Sequence, residues 1–400
     1  MKNFNRRSFL TKSLGTLGAI GLLPSAIQSE TQTSKDLLHR TLGKTGIRLP
    51  VVSMGVMNAS IPDVLAESYK RGVRHFDTAW YYQRGRNEQM VGDVINRLNA
   101  RKEVTIATKI FLGDMDKQTP SPKVLKETFL KRFDESLSRL RMDYVDILYY
   151  HNVYDPAQIQ MDEINDALNQ IKKQGKARFI GISVHANIAN VIQEALTLNQ
   201  YDVILAAYNF AMANDEALQQ ALEKAALQGI GLIAMKTQAG GGWWREGLQK
   251  TDAFNGPLNQ TAMLKWVLNH PFFTTAIPGY TNFQHMEEDL SVAFDLNYTK
   301  DEIQFLNNHS VPVNLGYCHQ CGECVQTCRY SVDIPKLMRT HMYAYQYGNL
   351  DHAYSTYQEL SQDKNLTVCQ SCTNCTARCS NYVQIGMRIQ SLNQLNLAMA

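Results

Sequence analysis

The first 317 residues of this 400-residue chain contain no cysteine, although the chain has eight. Scattered core cysteines would not leave so long a stretch empty, so ordinary burial does not explain them. No run of 18 apolar residues occurs anywhere, which excludes a polytopic helical membrane protein. Net charge is nearly absent as well. The total is +3, and Lys2, Arg6, Arg7 and Lys12 stand in residues 1–29 without one acid, which leaves −1 for the remainder. A basic surface for nucleic acid is thereby excluded. Apolar residues at 44% and charged ones at 19% suffice for packed cores and argue against global disorder. The length allows about two domains and an appendage.

The N-terminus carries a pattern of its own. Asn5-Arg6-Arg7-Ser8-Phe9-Leu10-Thr11-Lys12 precedes an apolar run from Leu14 to Leu23 that is too short for a stable bilayer span. It resembles a twin-arginine export signal over residues 1–29, with 30–38 as linker. The expected location is periplasmic or otherwise extracytoplasmic, with membrane contact only if the signal stays uncleaved. The alternative is a basic, disordered tail.

From residue 39 to 312 short apolar runs alternate with amphipathic stretches. The strand-like runs are 51–54, 73–76, 104–107, 145–148, 179–182, 203–206, 230–233 and 274–277. Between them lie helical patterns such as 122–140, where Leu125, Phe129, Phe133, Leu137 and Leu140 recur at helical spacing. Eight strand–helix units predict an α/β fold of the (β/α)8 TIM-barrel type. An open doubly wound sheet would want G-x-G-x-x-G after its first strand, and Met54-Gly55-Val56 does not supply it.

In such a barrel the chemistry sits at the C-terminal strand ends. Those ends hold Asp77 with Tyr82 beyond it, then Lys109, then His151. A lysine beside a tyrosine favours the tyrosinate and lowers the phenol's pKa, while an aspartate keeps the lysine ionised. The tuned phenol can give a proton to a carbonyl oxygen as hydride arrives at carbon. Singly, each residue has a blander use: a strand-end Asp caps a helix, and a lone Lys is solvated.

The text Asp77-Thr78-Ala79-x-x-Tyr82, Asn87-Glu88, Thr108-Lys109 and Leu148-Tyr149-Tyr150-His151 resembles the aldo-keto reductase superfamily. Leu42–Gly46, Phe179–Ser183 and Ile277-Pro278-Gly279 extend the likeness across about 39–295. The resemblance implies an NAD(P)H-dependent carbonyl reductase acting on a small carbonyl or alcohol. Tyr82 would be the acid, Lys109 and Asp77 its tuners, and His151 the carbonyl clamp. Ser183, Lys236, Gly240, Gly241 and Gly279 are the expected cofactor contacts. The family's basic residues after strand 8 are missing, since Gly279, Tyr280, Thr281 and His285 stand there. A 2′-phosphate wants Arg or Lys, so a preference for NADPH is not expected. Trp243-Trp244 could roof the pocket or pack against the C-terminal segment.

Residues 313–400 have another texture. Cys318-x2-Cys321-x2-Cys324-x3-Cys328 recurs as Cys369-x2-Cys372-x2-Cys375-x3-Cys379, around a helical spacer near Pro335–Leu360. Four disulfides would not require two identical runs, and paired C-x2-C zinc sites would leave cysteines over. The spacing is similar to that of bacterial two-cluster ferredoxins. That likeness implies a small, mainly helical ferredoxin-like domain with two [4Fe–4S] clusters. It also implies crossed fourth ligands: Cys318, Cys321 and Cys324 with Cys379, and Cys369, Cys372 and Cys375 with Cys328. The proline that usually follows the fourth cysteine is replaced by Arg329 and Ser380.

The whole then resembles an exported aldo-keto reductase subset with an iron–sulfur extension. It would interconvert a carbonyl and an alcohol, with electrons passing through the clusters to or from a redox partner protein. Two readings stay beside it. One is an electron-transfer or redox-assembly protein with a vestigial barrel. The other makes the clusters structural staples.

Overall fold

Strands whose residues are buried on both faces must pair side by side under a covering of helices, and a parallel sheet with crossover helices satisfies this. The computed structural model describes residues 36–113, 121–239, 258–308, 316–372 and 374–395. The signal at 1–29, the boundary at 313, Gly240, Gly241 and Trp243-Trp244 lie outside the described residues.

Eight parallel strands follow one another in chain order. They are β3 (Met54–Gly55), β4 (His75–Asp77), β5 (Thr105–Ile110), β6 (Val145–Val153), β7 (Ala177–Val184), β8 (Val203–Ala207), β9 (Gly231–Met235) and β10 (Thr275–Ala276). The sheet closes between its outer strands. Val52 bridges Ala276 in parallel, Ser53 N–H donates to Ala276 O at 2.8 Å, and Gly55 N–H donates to Pro278 O at 3.0 Å. This is the expected (β/α)8 barrel, with each strand within a few residues of its apolar run.

Close strand contact explains one glycine. A Cβ on Gly181 in β7 would lie 2.1 Å from Val203 O on the neighbouring strand, so no larger residue fits without separating β7 from β8. The helix Pro122–Leu140 buries Phe129, Phe133, Leu137 and Leu140, as their spacing predicts. An antiparallel hairpin of β1 (His39–Thr41) and β2 (Arg48–Pro50) precedes the barrel. Three-residue strands carry too little periodicity to be read in advance.

The barrel's two ends use carboxylates differently. Asp146, second residue of β6 and thus at the N-terminal end, accepts from Arg101 Nη1 at 2.9 Å, Arg178 Nη1 at 2.7 Å and Ile106 N–H at 2.9 Å. It ties β5, β6 and β7 together. Conserving such a network serves stability, whereas chemistry belongs to the opposite end.

The C-terminal segment is mainly helical. Its longest elements are Ile334–His341, Leu350–Gln358 and Ile385–Gln394. The first continues into a π-helical turn, Met342–Gln346. A small core of its own joins Val332, Ile334, Leu337, Met338, Leu366 and Leu392. The segment also grips the barrel mouth: Asn349 Nδ2 donates to Asn58 Oδ1 at 2.8 Å, and Arg339 Nη1 donates to Asn152 Oδ1 at 2.9 Å.

Candidate active site and cysteine loops

The C-terminal ends of β4, β5 and β6 bring Asp77, Lys109 and His151 together, and the turn after β4 adds Tyr82. All four line one cavity of about 100 Å3 at the barrel mouth. The scaffold beneath is polar and closed. Thr78 Oγ1 donates to Asn87 Oδ1 at 2.7 Å, Asn87 Nδ2 to Val56 O at 2.7 Å, and Thr108 Oγ1 to Glu88 Oε1 at 2.6 Å. Asn87 and Glu88 therefore anchor a helix against the strand ends and do not face the cavity.

Lys109 Nζ is buried, donates to Asp77 Oδ1 and to Thr78 O (2.7 Å), and lies 5.1 Å from the centre of the Tyr82 ring. The expected lowering of the Tyr82 pKa is corrected here. Burial is the main influence on the phenol, and with Asp77, Tyr343 and Tyr347 it holds the pKa well above 10. Asp77 offsets the lysine's charge at contact range, so in the resting site the lysine does not bring the phenol down. Burial also lowers Lys109, against the pull of Asp77 and Glu88. His151 is pushed well below its ordinary value by burial, then by Lys109 and His185, so its ring is neutral. A neutral imidazole still donates one N–H.

The expected cofactor contacts divide. Lys236 and Gly279 line the cavity. Ser183 does not: it is buried, and its Oγ accepts from Asn152 N–H at 2.9 Å. Gly55 lines the cavity too, and a Cβ on Gly279 would lie 3.8 Å from Gly55 O. Among the described residues of the loop after β10 no Lys or Arg occurs, and burial moves His285 down to about 4.

Several lining residues had no sequence signal. Tyr343 and Tyr347 reach the cavity from the C-terminal segment, and His185 follows β7. Tyr81 stacks between Phe111 and His352, each ring centre 5.2 Å away, and touches His151 at the same distance. A second cavity of about 20 Å3 adjoins the first: His185 and Lys236 line both, and Cys318, Arg339 and Arg388 are among the other residues around the smaller one.

None of the eight cysteines forms a disulfide. Their electrostatic neighbours sort them into two groups. Cys318 and Cys321 feel Cys379, and Cys324 feels Cys318, Cys379 and Cys321. Cys369 feels Cys328, Cys372 and Cys375. Burial, reinforced by this crowding, raises Cys318 to about 11 and Cys324 and Cys369 to about 12. The two loops are laced by reciprocal bonds: Arg329 N–H donates to Thr376 Oγ1 at 3.1 Å and Arg378 N–H to Thr327 Oγ1 at 2.8 Å. Among the described residues no three His, Cys, Asp or Glu side chains close tightly on a single ion. A four-iron cubane takes its thiolates on separate corners and so accepts a wider set. Crowded, unoxidised thiols in two crossed groups of four fit two such cubanes.

Comparison with known proteins agrees with this division of the chain. Residues 56–263 match the Aldo/keto reductase family, and residues 317–384 match the 4Fe-4S dicluster domain. An L-galactose dehydrogenase of Arabidopsis thaliana is 30% identical over 215 residues, which are 50% of this chain and 66% of the plant protein, just under two thirds of its length. An uncharacterised oxidoreductase of Bacillus subtilis (strain 168) is 25% identical over 68% of this chain and 96% of its own. The holo form of an aldo-keto reductase from Bacillus halodurans superposes with a TM-score of 0.51 at 22% identity, over 68% of this chain and 95% of that one, a likeness of fold. With more than half of its length matched, this chain belongs to the aldo/keto reductase family of oxidoreductases and carries a 4Fe-4S dicluster domain behind the barrel.

Proposed function

We propose that the barrel interconverts a small carbonyl compound and its alcohol, with a non-phosphorylated nicotinamide dinucleotide as hydride carrier. The observation that carries this is the convergence of Asp77, Tyr82, Lys109 and His151 on one cavity. His151, neutral, donates its N–H to the carbonyl oxygen and orients it. Tyr82 gives its phenolic proton to the same oxygen as charge develops there. Lys109, held by Asp77 and Thr78 O, stands over the ring and stabilises the tyrosinate left behind. Bound nicotinamide would supply or receive the hydride. Gly55 and Gly279 in the lining add no side chain that would obstruct a flat ring, and the loop after β10 lacks the basic residues a 2′-phosphate needs.

Cys318, Cys321, Cys324 and Cys379 would hold one [4Fe–4S] cluster, and Cys369, Cys372, Cys375 and Cys328 the other. Such clusters store and pass single electrons, and a redox protein would be their partner. Residues 1–29 would export the folded, loaded chain.

Two experiments test this reading. Anaerobically purified protein should oxidise NADH in proportion to added carbonyl compound, and NADPH more slowly. An NADH signal indifferent to every carbonyl would refute the barrel chemistry. Changing Arg6 and Arg7 together to lysine should leave the chain in the cytoplasm of its host. Undiminished export would refute the signal.

A further inference from the structure

The charges around the cavity differ in how they are matched. Lys109 is paired with Asp77, and Arg339 with Glu359 at 3.2 Å and with Asn152 Oδ1. His151, His185 and His352 are held neutral by burial. Lys236 has no carboxylate partner among the described residues. Among the described residues its ammonium partners are two aromatic faces, with Nζ 4.5 Å from the ring centres of both Tyr343 and Tyr347.

Three features make this a built site. Lys236 follows the last residue of β9 with φ +58°, a left-handed conformation that non-glycine residues seldom adopt and that persists where the surroundings enforce it. Its two-ring cradle comes from the C-terminal segment, so two parts of the fold cooperate to place one ammonium. Lys236 is partly buried with no opposite charge beside it among the described residues, and that burial, then Arg339 and Lys109, push its pKa well below the ordinary lysine value. An anion entering the cavity relieves both penalties at once.

We propose that Lys236 binds an anionic group, a carboxylate above all, carried by the carbonyl substrate itself, so that the substrates are oxo acids and the corresponding hydroxy acids. The inference rests on the carbonyl reading of the barrel. It assigns the anion to the substrate because Lys236 shares its cavity with Tyr82 and His151, and one small molecule can meet all three. The same anionic chemistry could come from a dinucleotide pyrophosphate, and the experiment separates the two.

The test is calorimetric binding to the anaerobic holoprotein, which needs no turnover. The probes are 2-oxoglutarate, 4-oxopentanoate and their neutral methyl esters. Wild type should bind at least one acid about tenfold or more tighter than its ester. Lys236→Met should erase that preference, and Lys236→Arg should keep part of it with unchanged iron content. Tyr82→Phe should bind the acid like wild type, so that failed carbonyl chemistry and a failed anion site are told apart. The proposal is overturned if no acid is preferred to its ester, or if Lys236→Met keeps the preference. It is equally overturned if Lys236→Met weakens NADH binding while the acid-to-ester ratio stands, which would give the lysine to the dinucleotide.

Discussion

Replacing Tyr82 with phenylalanine is expected to cut carbonyl turnover by roughly a hundred- to ten-thousand-fold, the range for loss of a positioned general acid. Ligand affinity should barely change, because the ring and its packing remain. The direction of the pKa shift supports this split. Burial, Asp77, Tyr343 and Tyr347 all oppose tyrosinate, so the phenol keeps its proton in the resting site. The proton leaves only when negative charge builds on the substrate oxygen and Lys109 can stabilise the phenolate that replaces it. The variant therefore loses an interaction made in the transition state, which appears in kcat and not in binding. Single-turnover kinetics beside calorimetric binding would check it. Near-wild-type turnover in Tyr82→Phe would remove the residue from the acid role.

The second large effect concerns iron. Cys379→Ser is expected to remove about four of about eight iron atoms, the same four that Cys318→Ser removes. The double variant should lose no more than either single one. Cys328→Ser should likewise coincide with Cys369→Ser. The crossed grouping follows from the thiols' neighbours, Cys379 beside Cys318, Cys321 and Cys324, and Cys328 beside Cys369. Iron and sulfide counts with EPR would decide. A Cys318→Ser, Cys379→Ser double variant that loses all its iron, where each single one loses half, would instead place the two cysteines on different clusters.

Much of the barrel was legible because a buried parallel strand needs a continuous apolar run and a surface helix needs a stripe. Val203–Ala207 and Phe129–Leu140 show both. The positions of Asp77, Lys109 and His151 followed, since a strand end is fixed once the strand is. Their electrostatics did not follow. Whether Lys109 acts on Tyr82 or is matched by Asp77 is decided by contacts of a few ångströms, which spacing does not encode. Ser183 turned toward Asn152 N–H for the same reason. Tyr343, Tyr347 and His352 were invisible because they come from a segment about 190 residues or more beyond His151 in the chain, and only its packing brings them to the mouth. The cysteines were the opposite case: their spacing is local, and so was their signal.

The π turn at Met342–Gln346 has a geometric consequence. Before it, Ile334, Leu337 and Met338 face the core beneath the cysteine loops; within it, Met342, Tyr343 and Ala344 join the barrel's core. A regular α-helix keeps one stripe on one side, so a single continuous rod would serve only one of these cores. The wider turn inserts an extra residue and rotates everything downstream, as π-bulges at functional sites do. One rod thereby changes allegiance midway and serves both cores. The residues packed beneath the thiolate loops and Tyr343 of the cradle about Lys236 therefore stand on one unbroken rod, joined through a single turn.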